Sequence, residues 1–271
     1  MPPLYEAAAS RYKEAAMQPY RQIFTTRHHE MDREHLLRVQ CICNYMEEAA
    51  GNHAEQLGAG IDLLNSHGLA WVLAKMRLEI RRRPGPGEPV TVETWPVRIE
   101  RVQFRRDFLL YGPDNEIMAT AVTQWVVMGV ESRKLERFPV YVAGMEPQNP
   151  PLAQENGDIR LPALPGNALP GPVFPVRLAD IDQNRHVNNG RYVDFALEAA
   201  DLAARAEGLD PDAELDLACL EVMFRAEGRR GDVICAKTVR EEGDAPVFLH
   251  SLFREEDGQE LARCRTIYRL R

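Results

Sequence analysis

The chain has 271 residues, 45% of them hydrophobic, which suffices for one large domain or two of ordinary size with buried cores. A formal net charge of -8 argues against a general nucleic-acid binder, and no apolar run approaches the roughly 20 residues that span a bilayer. Five cysteines without framework spacing fit a reducing compartment, and Met1–Glu6 lacks the basic-then-apolar pattern of a signal peptide, so a cytoplasmic location is expected.

In chain order, His28, His29 and Glu30 come first. They offer metal-ligand types, but adjacent histidines on a strand face opposite ways, and no metal is expected there. Asp32 opens a turn. Val39, Ile42, Met46, Ala49, His53 and Leu57 then recur at three- and four-residue steps, the apolar stripe of a helix, with His53 read as a core residue. Next the period becomes two: Ala74, Met76, Leu78 and Ile80 alternate with Lys75, Arg77, Glu79 and Arg81. Strand-like runs follow at Val90–Trp95, Phe104–Tyr111 and Met118–Met128, the last two joined at Asp114-Asn115. Trp71, Trp95 and Trp125 are expected in the core. Between Lys75 and Arg106 stand nine Lys/Arg against four Glu, so this stretch is basic within an acidic chain.

From Pro139 to Pro175 lie nine of the 19 prolines. Proline fixes φ and removes a ladder donor, so residues 139–175 are expected to form an extended connector without strand or helix. Beyond it the first pattern returns at an offset of 150. Asp182 answers Asp32, Met46–Ala50 lies over Ala196–Ala200, and Gly58 over Gly208. Tyr192, Ala196, Ala199 and Ala203 form the second helical stripe. Leu220, Val222, Phe224 and Ala226 alternate with polar neighbours, and Val233–Val239, Val247–Phe253 and Leu261–Tyr268 read as strands, with a turn at Asp257-Gly258. The expectation is an α+β protein of two tandem units, each a curled antiparallel sheet wrapped around one long helix. The units span residues 1–138 and 176–271. Pairing the two would cover sheet edges that each alone would expose.

The run Asp180-Ile181-Asp182-Gln183-Asn184-Arg185-His186-Val187-Asn188-Asn189 precedes the second helix. D-x-N-x-H-V-N-N ahead of a helix resembles the signature of plant-type acyl-acyl carrier protein thioesterases and their bacterial relatives. Leu69–Val72, Arg105–Phe108 and Phe224–Gly228 extend that likeness over nearly the whole chain after about residue 20. The resemblance implies a double hotdog fold and hydrolysis of fatty acyl-carrier thioesters. It further implies Asp182, Asn184, His186 and Glu227 as site residues, an acyl pocket shaped by the first unit, and no cofactor beyond the carrier's own phosphopantetheine. Partners would be acyl carrier protein and the acyl chain, with homodimerisation open.

The chemistry of these residues supports the same reading. Unpaired amides at a helix N-terminus suit the oxyanion that forms when water attacks a thioester. Asn184 can orient a carbonyl or a water, and His186 with a carboxylate can move a proton near neutral pH. Asn188 or Asn189 is expected to cap the helix and Asp180 to support the turn. Asp182 either orients its neighbours or attacks directly through a transient anhydride. The repeat supplies an internal control: Glu34 and Leu36 replace Asn184 and His186, and aligning Ile80 with Phe224 sets Arg83 opposite Glu227. The first unit therefore lacks the Asn, the His and the acid. Gly228 occupies a place where some members of the family carry cysteine, which leaves no Cys-His mechanism here.

Two other readings compete: an acyl-CoA thioesterase, and a hotdog module that binds acyl chains without turnover. A dehydratase fits the local context of His186 less well. Because acyl carrier proteins are acidic, a basic surface at Arg81, Arg82, Arg105 and Arg106 is expected to steer the encounter.

Overall fold

The computed structural model describes residues 19–100, 102–137, 159–166 and 168–271, with the side chains of 98–100 left aside. The N-terminal residues read for a signal peptide and most of the Pro-rich stretch, including Asn149-Pro150-Pro151, lie outside these. The chain divides into two compact units, Met1–Ala74 with Arg82–Gly157, and Lys75–Arg81 with Asp158–Arg271.

Among the described residues the first unit holds β1 (Tyr20–Thr25), α1 (Val39–Gln56), α2 (Ile61–Ser66) and the start of β2 (Leu69–Ile80), whose residues from Lys75 on belong to the second unit. Then come β3 (Pro89–Glu100), β4 (Gln103–Tyr111), β5 (Ile117–Gly129) and the two-residue β6 (Leu135–Glu136). Strand order is β1-β3-β4-β5-β2, with β6 on β5. All six residues of the α1 stripe are buried, Val39, Ile42, Met46, Ala49, His53 and Leu57 each at 5% exposure or less. Burying an aliphatic side chain contributes about 1.5–3 kcal/mol, so this stripe outweighs the absence of a side-chain cap at the helix start. The β4–β5 turn contains Asn115 at φ 56°, a conformation asparagine tolerates. Trp95 is buried, and Trp71 and Trp125 pack against Leu57, Leu64 and Phe104.

The second unit holds β7 (Leu169–Pro175), α3 (Asn189–Ala206), α4 (Pro211–Glu214), β8 (Leu215–Phe224), β9 (Val233–Arg240), β10 (Val247–Arg254) and β11 (Glu260–Leu270). Its order is β8-β11-β10-β9-β7, and Lys75–Glu79 pairs antiparallel with β8. Glu221 on β8 is flanked across both ladders by Arg77 and Arg265 and ion-paired to each. The alanines of α3 allow close approach to the sheet: Ala196, Ala199, Ala200 and Ala204 are at most 1% exposed. Ala203, placed on that stripe by periodicity, is only half-buried, and Ala204 takes the inner position.

Two expectations need correction. The connector was to run free of strands to Pro175, yet Leu169–Pro175 is a strand on β9. Proline is tolerated on an edge strand, and the register shift between Pro170 and Val173 absorbs the missing donors. His28–Glu30 forms a 3-10 turn, not a strand, with Glu30 accepting from the Tyr45 hydroxyl at 2.6 Å.

The 150-residue offset holds in three dimensions. Phe24 stacks on Tyr45 and Phe174 on Phe195, both with ring centroids 4.3 Å apart. Isolated bridges Met31–Leu37 and Ile181–Val187 close equivalent turns, in which His35 and Arg185 take φ 58° and 63°.

Candidate active site

The turn Asp182–His186 is built from its own backbone. The Asp182 amide donates to the His186 carbonyl at 3.0 Å, and the Arg185 amide to the Asp182 carbonyl at 3.0 Å. The Asp182 carboxylate accepts from the Asn184 amide at 2.8 Å, the Asx-turn bond that aspartate favours. The helix begins directly afterwards, with Asn188 as N-cap accepting from the Gly190 amide at 2.8 Å. Beneath the turn, Asp180 is 2% exposed and does more than support a bend. It accepts from the Arg177 amide at 2.8 Å and the Arg177 guanidinium at 2.9 Å, while Arg191 Nε stands 2.9 Å away. Burial alone would raise its pKa, but these arginines hold the carboxyl below the usual range.

Glu227 follows β8 and reaches the turn from the opposite side. His186 Nε2 lies 2.9 Å from Glu227 Oε2, and both side chains are about one quarter exposed. The pair is therefore preorganised yet open to water. Two bonds set its spacing: the Val187 amide donates to the Gly228 carbonyl at 2.9 Å, and the Gly228 amide to the Tyr192 hydroxyl at 2.8 Å. Arg254 Nη2 adds a 3.1 Å bond to the Glu227 carbonyl, and Arg254 Nε stands 3.2 Å from the Asp232 carboxylate. A Cβ on Gly228 would stand 2.9 Å from the Tyr192 hydroxyl and 3.0 Å from Val187 Cγ2, so this position is shaped for glycine. Asn184 is exposed on the same turn, its amide N–H engaged by Asp182.

Of the four residues expected at the site, the fold brings His186 and Glu227 into contact and sets Asp182 and Asn184 in the adjoining turn. Tyr192, Arg191 and Arg254 were not found in the sequence as site residues. Tyr192 read only as helix core, because its hydroxyl partner is 36 residues away on another element. Among the described residues, no group of three or more His, Cys, Asp or Glu is placed to hold a metal. No cysteine lies in the cluster; burial pushes the Cys219 thiol up to about 12 and raises Cys264 as well.

The equivalent place in the first unit is closed by an ion pair. Leu37 N–H donates to the Pro84 carbonyl at 2.8 Å, mirroring Val187 and Gly228, so Arg83 occupies the position of Glu227. Its guanidinium bonds the Asp32 carboxylate and stands 3.7 Å from Glu34. Burial would raise the Asp32 pKa, but Arg83 and the Leu36 amide bring it below the ordinary value.

The expected basic docking surface does not form as read. Arg105 and Arg106 are strand neighbours and must face opposite ways. Arg106 turns inward at 4% exposure, with Nη1 3.0 Å from His53 Nδ1 and 3.2 Å from Thr94 Oγ1, and burial draws its pKa down to about 9. Arg105 is bidentate to the buried Asp107 at 2.8 Å, and Arg82 pairs with Glu88 and Glu116. Arg81 alone of the four is exposed without an ion pair among the described residues.

Comparison with known proteins gives the same outline. Residues 17–143 match the model described as acyl-ACP thioesterase N-terminal domain, and 172–270 the acyl-ACP thioesterase C-terminal domain. A chloroplastic acyl-carrier-protein hydrolase, FATB2, of Cuphea viscosissima is 31% identical over 92% of this chain and 62% of its own length. Oleoyl-acyl carrier protein thioesterase 1 of Arabidopsis thaliana, also chloroplastic, is 29% identical over 92% of this chain and 76% of its own. The chain thus spans about 62% of the length of the first of these relatives. Among solved structures, the 12:0-ACP thioesterase from Umbellularia californica has a TM-score of 0.79 at 25% identity, covering 93% of this chain and 94% of that one. An acyl-ACP thioesterase from Bacteroides thetaiotaomicron VPI-5482, 20% identical, shares the fold with a TM-score of 0.78 over 95% of this chain and 99% of its own.

Proposed function

This chain belongs to the acyl-ACP thioesterase family, and on that premise we propose that it hydrolyses fatty acyl-acyl carrier protein to free fatty acid and holo-carrier. The observation that carries the reading is the 2.9 Å contact of His186 Nε2 with Glu227 Oε2 beside a capped helix N-terminus. Such a pair can take a proton from water as it attacks the thioester carbonyl, then return it to the departing thiolate. In this scheme Asn184 positions the water or the carbonyl, and the oxyanion develops near the start of α3. Water is the co-reactant, so the chemistry calls for no cofactor.

For Asp182 we favour an orienting role. Its counterpart Asp32 makes the same turn bond, to the Glu34 amide at 2.8 Å, in a unit that lacks the His, the Asn and the acid. A residue kept where no chemistry remains is being kept for the turn. Direct attack would instead form an anhydride, and water opening it at the Asp182 carbonyl would leave solvent oxygen in that carboxylate. A single turnover in 18O water followed by mass analysis of the Asp182 peptide tests this, and label in the peptide would refute the orienting role. All five cysteines are free, which suits a reducing compartment, and we place the reaction in the cytoplasm.

The experiment that tests the whole reading measures thiol release from acyl-ACP by the parent and by His186→Ala. Turnover in the parent with a loss of at least about 100-fold in the variant is expected. Equal rates from a folded variant would refute the assignment.

A further inference from the structure

The two loops that bring His186 and Glu227 together also carry three arginines for which the chemistry has no use. Arg185 lies in the turn before His186, and Arg229 and Arg230 follow Gly228. All three are exposed, and none has an ion-pair partner among the described residues. Most other described arginines of this unit are paired. Arg177, Arg191, Arg205, Arg225, Arg240, Arg254, Arg263, Arg265 and Arg269 of the same unit all stand against carboxylates. The bond from Val187 N–H to the Gly228 carbonyl fixes the loops side by side at 2.9 Å. Arg229 is two residues from Glu227, at most about 7 Å along the backbone. Asp232, the nearest acid in sequence after Arg230, is engaged by Arg254 at 3.2 Å and by the Arg229 amide at 2.8 Å.

The internal repeat separates function from fold here. A feature that the hotdog unit needs in order to fold should occur in both copies; a feature that serves the reaction should occur only in the reacting one. Where the second unit has Arg185, the first has His35 in the same left-handed conformation. In place of Arg229 and Arg230, the turn bond of Leu37 to Pro84 puts Gly85 and Pro86. Arg82 and Arg83, which come just before that turn at the places of Ala226 and Glu227, are engaged by carboxylates. Arg185, Arg229 and Arg230 thus share their two loops with the His-Glu pair, and the first unit has no arginine at any of the three matching positions.

We infer that Arg185, Arg229 and Arg230 form the docking surface for an acidic protein face, that of the carrier that delivers the thioester. This rests on the thioesterase reading of the His186–Glu227 pair and names the partner of that site. A chain of net charge -8 would repel an acidic carrier if its charge were spread evenly. A local cationic rim reverses the sign of the field where the thioester must enter, which raises the encounter rate and orients the arm. It also replaces the surface read earlier from Arg81, Arg82, Arg105 and Arg106, three of which are buried or paired.

The test compares three thioesters of the same acyl chain: acyl-ACP, acyl-CoA and acyl-pantetheine, the last with no phosphate. Two variants are made at all three positions, Arg→Gln (R185Q/R229Q/R230Q) and Arg→Lys (R185K/R229K/R230K). Expected for the glutamine variant is a fall of at least about tenfold in kcat/KM for acyl-ACP, a flattened salt dependence, and unchanged kcat/KM for acyl-pantetheine. The lysine variant should retain most of the acyl-ACP rate, which separates charge from folding. An equal fall with acyl-CoA would overturn the inference, because the rim would then read the phosphate of the arm and not the protein. Unchanged acyl-ACP kinetics, or a parallel fall with acyl-pantetheine, would overturn it too. Calorimetric titration with holo-carrier needs no turnover: equal affinity of parent and glutamine variant refutes the rim even if the thioesterase reading fails.

Discussion

The backbone amide of Gly228 donates to the Tyr192 hydroxyl at 2.8 Å, tying the residue after Glu227 to the second long helix. A side chain on Gly228 would meet that hydroxyl at 2.9 Å. Gly228→Cys should therefore cost about 1–3 kcal/mol through overpacking and lower turnover by displacing Glu227. Adding Tyr192→Phe should not restore it, because the Val187 contact stays and the residue-228 N–H loses its acceptor. Denaturant unfolding of the single and double variants checks this, and a Gly228→Cys protein as stable as the parent would sink it.

Glu227→Gln keeps the shape at the His186 contact and removes the base. Its turnover should fall by at least about 100-fold with the fold intact. The matching change in the first unit, Arg83→Ala, should leave the maximal rate near the parent's while lowering the melting temperature, because the half-buried Asp32 loses its cation. Equal losses of rate from both would contradict a single reacting unit.

No thiol takes part in the reaction as read. Replacing Cys41, Cys43, Cys219, Cys235 and Cys264 by Ala or Ser should preserve turnover, with stability lost at the buried Cys43, Cys219 and Cys264. Alkylation should likewise spare activity in the folded enzyme. If one conservative cysteine change abolished hydrolysis without unfolding the chain, the water mechanism would be wrong.

His250 is fully buried between the hydroxyls of Thr238 and Thr266, each 3.0 Å from a ring nitrogen, and burial brings its pKa down from 6.5 to about 3. The unfolded chain takes up this proton below pH 6.5, whereas the folded chain refuses it until about 3. The unfolded state binds more protons in that window, so this residue makes stability fall as pH drops, by about 1.4 kcal/mol per unit at full effect. Above the upper value it contributes no slope. Unfolding free energies of the parent and His250→Gln at pH 7, 6 and 5 isolate the contribution as a difference of slopes. Parallel curves would refute it.

Much of this architecture was legible because duplication wrote it twice. Alternation from Ala74 to Ile80 and from Leu220 to Phe224, and the helical stripe from Val39 to Leu57, repeat signals that each copy alone would give weakly. His186 was named from its motif and Glu227 through the family resemblance, while their 2.9 Å contact is a finding of the fold. β7 was missed because its prolines argue against a strand, and only an edge position makes them harmless. The destination of Arg106 was hidden for a different reason. A run of charge does not say which neighbour a strand turns inward, and here the inward one met His53 and Thr94. Tyr192 acts through a partner supplied by tertiary approach, for which local pattern carries no sign.

The ion pair of Arg83 with Asp32 also makes the two units of the chain chemically unequal. Two identical subunits must carry the same residue at equivalent places, so neither can exchange an acid for a base without the other doing so. Two units in one chain are free of that constraint, and here the first holds a cation where the second holds Glu227. Going back would require Arg83→Glu, Leu36→His and Glu34→Asn together. Arg83→Glu alone would set a carboxylate against Asp32, and Leu36→His alone would remove an apolar side chain from the turn, so a second reaction centre is not one substitution away.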